Sequence, residues 1–232
     1  MPRAVFFDVD FTLIYPGPRF GGDGYRDFCA GYGMEIDPNR FDRAVASAAP
    51  LLDGPEDEYD AEIFVRYTKR IIEQMGGRGD RLDPCAREIY TEWARCHHFE
   101  LYHEVPEVLR DLASAGVTIG LISNTHRCLA AFQSHFELQG LVAVAISSSE
   151  HGYMKPHPSI FQAALRATGV APTEATMVGD NIRQDVEGAL GVGMSAVLLH
   201  RGAAPHPQMK ELASRGVPII RSLAELPECL AR

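Results

Sequence analysis

Apolar positions along the chain fall into two rhythms. Residues 3–9 (Arg3-Ala4-Val5-Phe6-Phe7-Asp8-Val9) form a short, nearly unbroken apolar run rich in β-forming side chains, the mark of a strand buried on both faces. Similar short runs recur at 117–122, 142–147, 175–178, 194–199 and 217–220. Between them the spacing changes to that of amphipathic helices. Val105, Val108, Leu109, Leu112 and Ala113 repeat at i, i+3, i+4, i+7 and i+8, and Phe161, Ala164, Leu165 and Thr168 do the same after Pro158-Ser159. Strand alternating with helix predicts βαβ units and a parallel sheet covered on both faces.

Residues from about 20 to 100 break the alternation. Tyr59, Ile63, Tyr67, Ile71 and Met75 step by four, as do Cys85, Ile89 and Trp93, and Asp37-Pro38 and Asp83-Pro84 read as N-caps followed by first-turn prolines. The expected organisation is an α/β, three-layer Rossmann-like core with a parallel sheet, built from 1–14 and 101–232 and interrupted by an α-helical insertion over 15–100. A length of 232 residues leaves room for one large domain, or for one plus a sizeable insertion.

Composition narrows the function classes. A hydrophobic share of 46% suffices for a real core, yet no apolar run approaches the ~18 residues of a membrane span. The start, Met1-Pro2-Arg3-Ala4, lacks an apolar signal segment. A net charge of −9 without a basic cluster disfavours nucleic acid as a partner. Small anionic substrates remain open, because a few placed cations, helix N-termini or a metal act locally against the global field. Five scattered cysteines with no CxxC pair suit reduced thiols in a cytoplasmic protein.

In an open parallel sheet, ligands bind beyond the carboxyl ends of the strands. The first strand ends in Asp8-Val9-Asp10-Phe11-Thr12 and the second in Ser123-Asn124; Lys155-Pro156 follows the third, and the fourth ends in Gly179-Asp180-Asn181, with Asp185 about one helical turn on. Asp8, Asp10 and Asp180 crowded on one rim repel one another unless a cation joins them. A hard cation such as Mg²⁺ takes a few carboxylate oxygens and leaves room for a substrate phosphate oxygen. A carboxylate is also a competent nucleophile toward phosphorus, and a second acid two residues away is placed to protonate the departing oxygen and later to activate water. Lys155 offsets the repulsion between that nucleophile and a phosphate dianion. The set points to phosphoryl transfer.

Asp8-x-Asp10-x-Thr12, Ser123-Asn124, Lys155-Pro156 and Gly179-Asp180-x₄-Asp185 resemble, in order, the four motifs of the haloacid dehalogenase (HAD) superfamily. The long gap between the first two resembles the branch with a helical cap inserted after the first motif. The likeness covers 1–14 and about 101–201 strongly, and over the insertion extends to helical character only. It implies that Asp8 is the nucleophile and a metal ligand, and that Asp10 is the general acid/base with its backbone carbonyl on Mg²⁺. Thr12 would support the tight turn and orient the acid/base, Ser123 and the Asn124 backbone N–H would bind phosphate, and Lys155 would clamp it. Asp180 would be a direct metal ligand, and Asp185 would orient a metal-bound water or Lys155. Haloacid dehalogenases lack the second aspartate because a halide needs no proton; Asp10 therefore favours hydrolysis of a small phosphorylated metabolite. Dehalogenase, phosphomutase and a non-catalytic binding protein on the same fold are the alternatives.

Three other features carry plainer readings. Residues 16–24 (Pro16 to Gly24) match neither a Walker loop nor GxGxxG and read as a hinge, with Arg19 and Phe20 as minor candidates for substrate contact. Cys96-His97-His98 lacks the second ligand pair of a zinc site, and Trp93 and Cys96 read as the apolar face of a helix; His98 and His103 flank the return to the core. The six acids from Asp53 to Glu62 lack the order of a calcium loop and read as a solvated helix start.

Overall fold

The computed structural model describes residues 1–54, 57–202 and 207–231. Glu56 of the acidic run and residues 203–206 of the Gly/Pro-rich stretch at 202–207 lie outside them. The chain divides into two units, one formed by Met1–Tyr15 with Leu101–Arg232 and the other by Pro16–Glu100.

The first unit is the α/β core. Its sheet contains β1 (Ala4–Phe7), while β2 (Ile14–Pro16) and β3 (Phe99–Leu101) pair with each other where the chain leaves and re-enters this unit. The remaining core strands are β4 (Thr118–Ser123), β5 (Val142–Ser147), β6 (Ala175–Gly179), β7 (Ser195–Leu199) and β8 (Ile219–Ile220). They line up as β5-β4-β1-β6-β7-β8, every pairing parallel. The chain builds outward from β1 to one side through β4 and β5, then returns to build the other side from β6. Order reverses at β1, so the carboxyl ends of β1, β4 and β6 border the crevice where such sheets bind ligands.

The apolar runs explain this placement. Ala4 and Phe6 share one buried cluster with Met177, Ala196 and Leu198 and with Ile160, Phe161 and Ala164. Val5 and Phe7 alternate to the opposite face and are as fully buried. The helix Val105–Ser114 packs on β4, and its buried Val105, Val108, Leu109 and Leu112 stand apart from that cluster. Pro158 opens the helix that supplies Ile160 and Phe161 (Pro158–Thr168), with the His157 side chain accepting from the Ser159 N–H as its cap. A π-helical turn, Ile182–Glu187, follows β6 and runs into a short helix, Gly188–Gly191.

The second unit is helical: Gly22–Gly31, Phe41–Ala48, Ala61–Met75 and Leu82–Trp93. Ile63, Ile71 and Met75 are buried along the third of these, and Cys85 and Ile89 along the fourth, at the expected spacing. Asp60 caps the third by accepting from the Glu62 N–H at 2.9 Å. Asp37 caps a short 3₁₀ turn, Pro38–Arg40, as its sequence implies. Asp83 differs: the helix already begins at Leu82, and the Asp83 carboxylate accepts from Arg87 one turn on at 2.8 Å instead of capping. Phe20 is buried among Phe28, Trp93, His98 and Phe99, and Arg19 lies over the Phe28 ring at 3.7 Å, so both are part of this unit's own packing. His98 bonds Glu92 at 3.0 Å. Among the described residues no helix is long and apolar enough to cross a membrane.

Candidate active site

The register of the sheet puts the first acid in place. Phe7 lies opposite Leu121 of β4 and Val178 of β6, and the Asp8 N–H continues the ladder to the Val178 carbonyl at 3.0 Å. Immediately after, the chain makes a tight turn. Leu13 and Ile14 both donate to the Val9 carbonyl, Phe11 donates to Ile14, and Phe11 sits in the left-handed region at φ +63°. A β-carbon is disfavoured there, so Phe11 stores backbone strain beside the two acids. The turn separates Asp8, which is buried, from Asp10, whose carboxylate is partly open.

Lys155 is the hub. Its ammonium donates to Asp8 Oδ1 at 2.6 Å, to Asp185 Oδ1 at 2.7 Å and to the Ile122 carbonyl at 2.7 Å. Three acceptors satisfy all three of its protons, which is what a buried lysine requires. Asn124 holds its backbone from both sides: the Lys155 N–H donates to Asn124 Oδ1 at 2.7 Å, and Asn124 Nδ2 donates to the Lys155 carbonyl at 2.9 Å. Asp185 Oδ2 accepts from the Asn181 N–H at 2.9 Å, which turns its other oxygen toward Lys155. Ser123 is buried at the end of β4, in register with Ser147. The Thr12 hydroxyl donates to Asp180 Oδ1 at 3.4 Å.

Carboxylate oxygens of Asp8, Asp180 and Asp185 lie within 4.8 Å of one another. Burial pushes Asp8 up to about 7, with Lys155 pulling it back and Asp185 and Asp10 adding to the rise. Asp180 also rises well above the usual carboxylate range. The protein packed around it, then the charges of Asp8 and Asp185, raise it although its surface reaches solvent. Burial alone would lower Lys155, but Asp185 and Asp8 outweigh it and hold the ammonium charged. Three carboxylates thus crowd around a single lysine, and the charged forms of Asp8 and Asp180 are disfavoured until a further cation joins them. Three hard oxygen donors in this state fit a small divalent cation.

The structure thus gathers Asp8, Asp180, Asp185, Lys155, Asn124 and Thr12 into one network. Asp10 lies apart from the carboxylate cluster, its side chain on a different cation. Arg127 Nη1 donates to both Asp10 oxygens, at 2.9 and 3.1 Å, from a fully buried side chain. Sequence reasoning passed over Arg127, which stands 117 positions from Asp10 in a polar stretch with no periodic signal. It also passed over Arg201, which donates to the Thr12 carbonyl at 3.1 Å and to buried Glu104 at 2.7 Å while covering the Tyr102 ring. The one usable signal was position: Arg127 and Arg201 both follow a core strand's carboxyl end closely.

The chain resembles known proteins over most of its length. A phosphoserine phosphatase of Thermus thermophilus is 35% identical over 147 residues, a match spanning 60% of this chain and 55% of that protein. The human N-acylneuraminate-9-phosphatase is 30% identical over 98% of this chain and 93% of its own length. Among solved structures, a 2-haloacid dehalogenase from Pseudomonas syringae pv. Tomato superposes with a TM-score of 0.62 at 25% identity, over 100% of this chain and 99% of that one. The family model for haloacid dehalogenase-like hydrolases matches residues 2–193. The chain belongs to the haloacid dehalogenase-like hydrolases.

Proposed function

We propose that the chain is a Mg²⁺-dependent phosphomonoesterase that hydrolyses a small phosphorylated metabolite through an aspartyl-phosphate on Asp8. One observation carries this reading: Asp8 sits at the carboxyl end of the central strand on Lys155, and a second carboxylate, Asp10, stands two residues away on a different cation. That division suits two chemical tasks.

In the first step an Asp8 oxygen attacks phosphorus, the ester P–O bond breaks, and Asp10 gives a proton to the departing alkoxide. In the second, Asp10 takes a proton from water as the water oxygen attacks the phosphorus of the acyl phosphate. Inorganic phosphate leaves and the Asp8 carboxylate is restored. Lys155 offsets the charge of the incoming dianion, Ser123 and the Asn124 N–H bind its oxygens, and Thr12 supports the turn that carries both acids. Asp8 and Asp180 would hold Mg²⁺ with the Asp10 carbonyl, and Asp185 would steady Lys155 beside it. When bound, the cation supplies charge neutralisation between two anions that otherwise repel. The helical insertion would correspond to the cap that the resemblance implies, the part on which substrate selection rests. Cys29 and Cys85 meet Sγ to Sγ at 3.8 Å as reduced thiols, which fits a reducing, cytoplasmic setting.

Likeness to a dehalogenase keeps that chemistry as the second reading. Phosphate release from an activated aryl phosphate, with Mg²⁺ and with EDTA, separates the two. We expect release only with the metal, and a loss of at least about a thousandfold in Asp8→Asn. Halide release from a 2-haloacid, unaffected by EDTA, would overturn the phosphatase reading.

A further inference from the structure

We infer that Arg127 is a positioning residue for the acid/base step, acting through Asp10 and never touching substrate itself. The inference deepens the phosphatase reading and rests on it.

Arg127 is the largest fully buried side chain among the described residues, and a buried guanidinium is costly unless it is paired. Its partner is Asp10, reached by one terminal nitrogen that touches both carboxylate oxygens. Such a three-centre contact sets the direction of the carboxyl group more tightly than a single bond to one oxygen would. The Asp10 side chain retains 17% exposure while that of Arg127 has none, so Asp10 presents its remaining face outward and Arg127 stays behind it.

The loop that carries Arg127 is itself anchored. The Arg127 N–H donates to Thr125 Oγ1 at 3.0 Å, and the Thr125 carbonyl accepts from the Ser148 hydroxyl at 3.4 Å and the Ser149 N–H at 3.3 Å. This loop continues directly from Ser123-Asn124. The segment that supplies the phosphate-binding groups at the end of β4 therefore also sets the direction of the proton donor at the end of β1. General acid catalysis tolerates little misplacement, since the donor must lie within hydrogen-bond reach of the departing oxygen.

The test compares an alkyl phosphate, whose leaving group needs a proton, with an aryl phosphate, whose leaving group does not. Arg127→Met should lower kcat/KM on the alkyl ester by about 10- to 100-fold and on the aryl ester by no more than about threefold, since kcat/KM reads the leaving-group step alone. In an Asp10→Asn background the same substitution should cost nothing further on the alkyl ester, because the group it positions is gone. Arg127→Lys should recover part of the loss and supplies the same ratio if Arg127→Met does not fold. Equal losses on both esters, or losses that multiply with Asp10→Asn, would overturn the positioning role while leaving the phosphatase reading intact. A wild-type protein that hydrolyses neither ester would overturn both.

Discussion

Asp8 and Asp10 are near neighbours in sequence and belong to different electrostatic surroundings. One is buried on a lysine that it shares with Asp185; the other is half-open on an arginine. That difference separates the nucleophile from the acid/base. Asp10→Asn should slow alkyl phosphates by about 10²- to 10⁴-fold while sparing activated aryl phosphates, measured as the ratio of kcat/KM on the two ester classes. A similar loss on both would argue against proton transfer by Asp10. The acids and Lys155 were legible in the sequence because each lies within a few residues of a strand end, and strand ends follow from local apolar patterning. Arg127 was not. In the stretch Thr125-His126-Arg127-Cys128 a lone arginine is most simply placed in solvent, and only the approach of β1 beside β4 gives it a buried partner. Glu104 and Arg201 escaped for the same reason: their pairing joins segments 97 positions apart.

The end of β6 shows how an element is shaped around a side chain. A β-carbon on Gly179 would lie 2.2 Å from Asp185 Oδ2 and 2.3 Å from its Cγ, so the strand end has room for that carboxylate only because residue 179 has no side chain. The π-helical turn Ile182–Glu187 carries Asp185 back over β6 to that contact. Sequence patterning located the strand and the acid, but a turn of this hand and width has no spacing signature, so their close approach was not visible. Gly179→Ala should push Asp185 off Lys155. We expect a stability loss of about 1–3 kcal/mol, read by denaturant unfolding, together with a fall in kcat of about tenfold or more. Wild-type stability and turnover in that variant would mean that the Lys155–Asp185 contact does not matter.

For the molecule as a whole, the raised carboxylates set a direction for stability against pH. A carboxyl whose native value is raised binds its proton more tightly folded than unfolded. Between its unfolded value near 4 and the Asp8 value of about 7, stability therefore falls as pH rises, and the full cost is felt above 7. Asp180 adds in the same direction. A divalent cation replaces the missing proton, so Mg²⁺ should raise Tm more at pH 8 than at pH 5.5, in scans run against EDTA. A shift of the same size at both pH values would mean that the ion binds elsewhere. The global charge of −9 makes the same point from outside: a phosphate dianion entering an acidic protein needs local positive charge, and Lys155 and a metal are what this site would offer.

If Asp8 is the nucleophile, phosphorus becomes bonded to it during turnover, and that bond can be caught. Enzyme quenched during turnover of a phosphate ester and treated with borohydride reduces an acyl phosphate to the alcohol, which converts the aspartate that carried it to homoserine. Peptide mass spectrometry should then find homoserine at position 8 and at no other aspartate, and none in enzyme quenched without substrate. Phosphate release with Asp8 unmodified, or homoserine at another aspartate, would rule out Asp8 as the nucleophile.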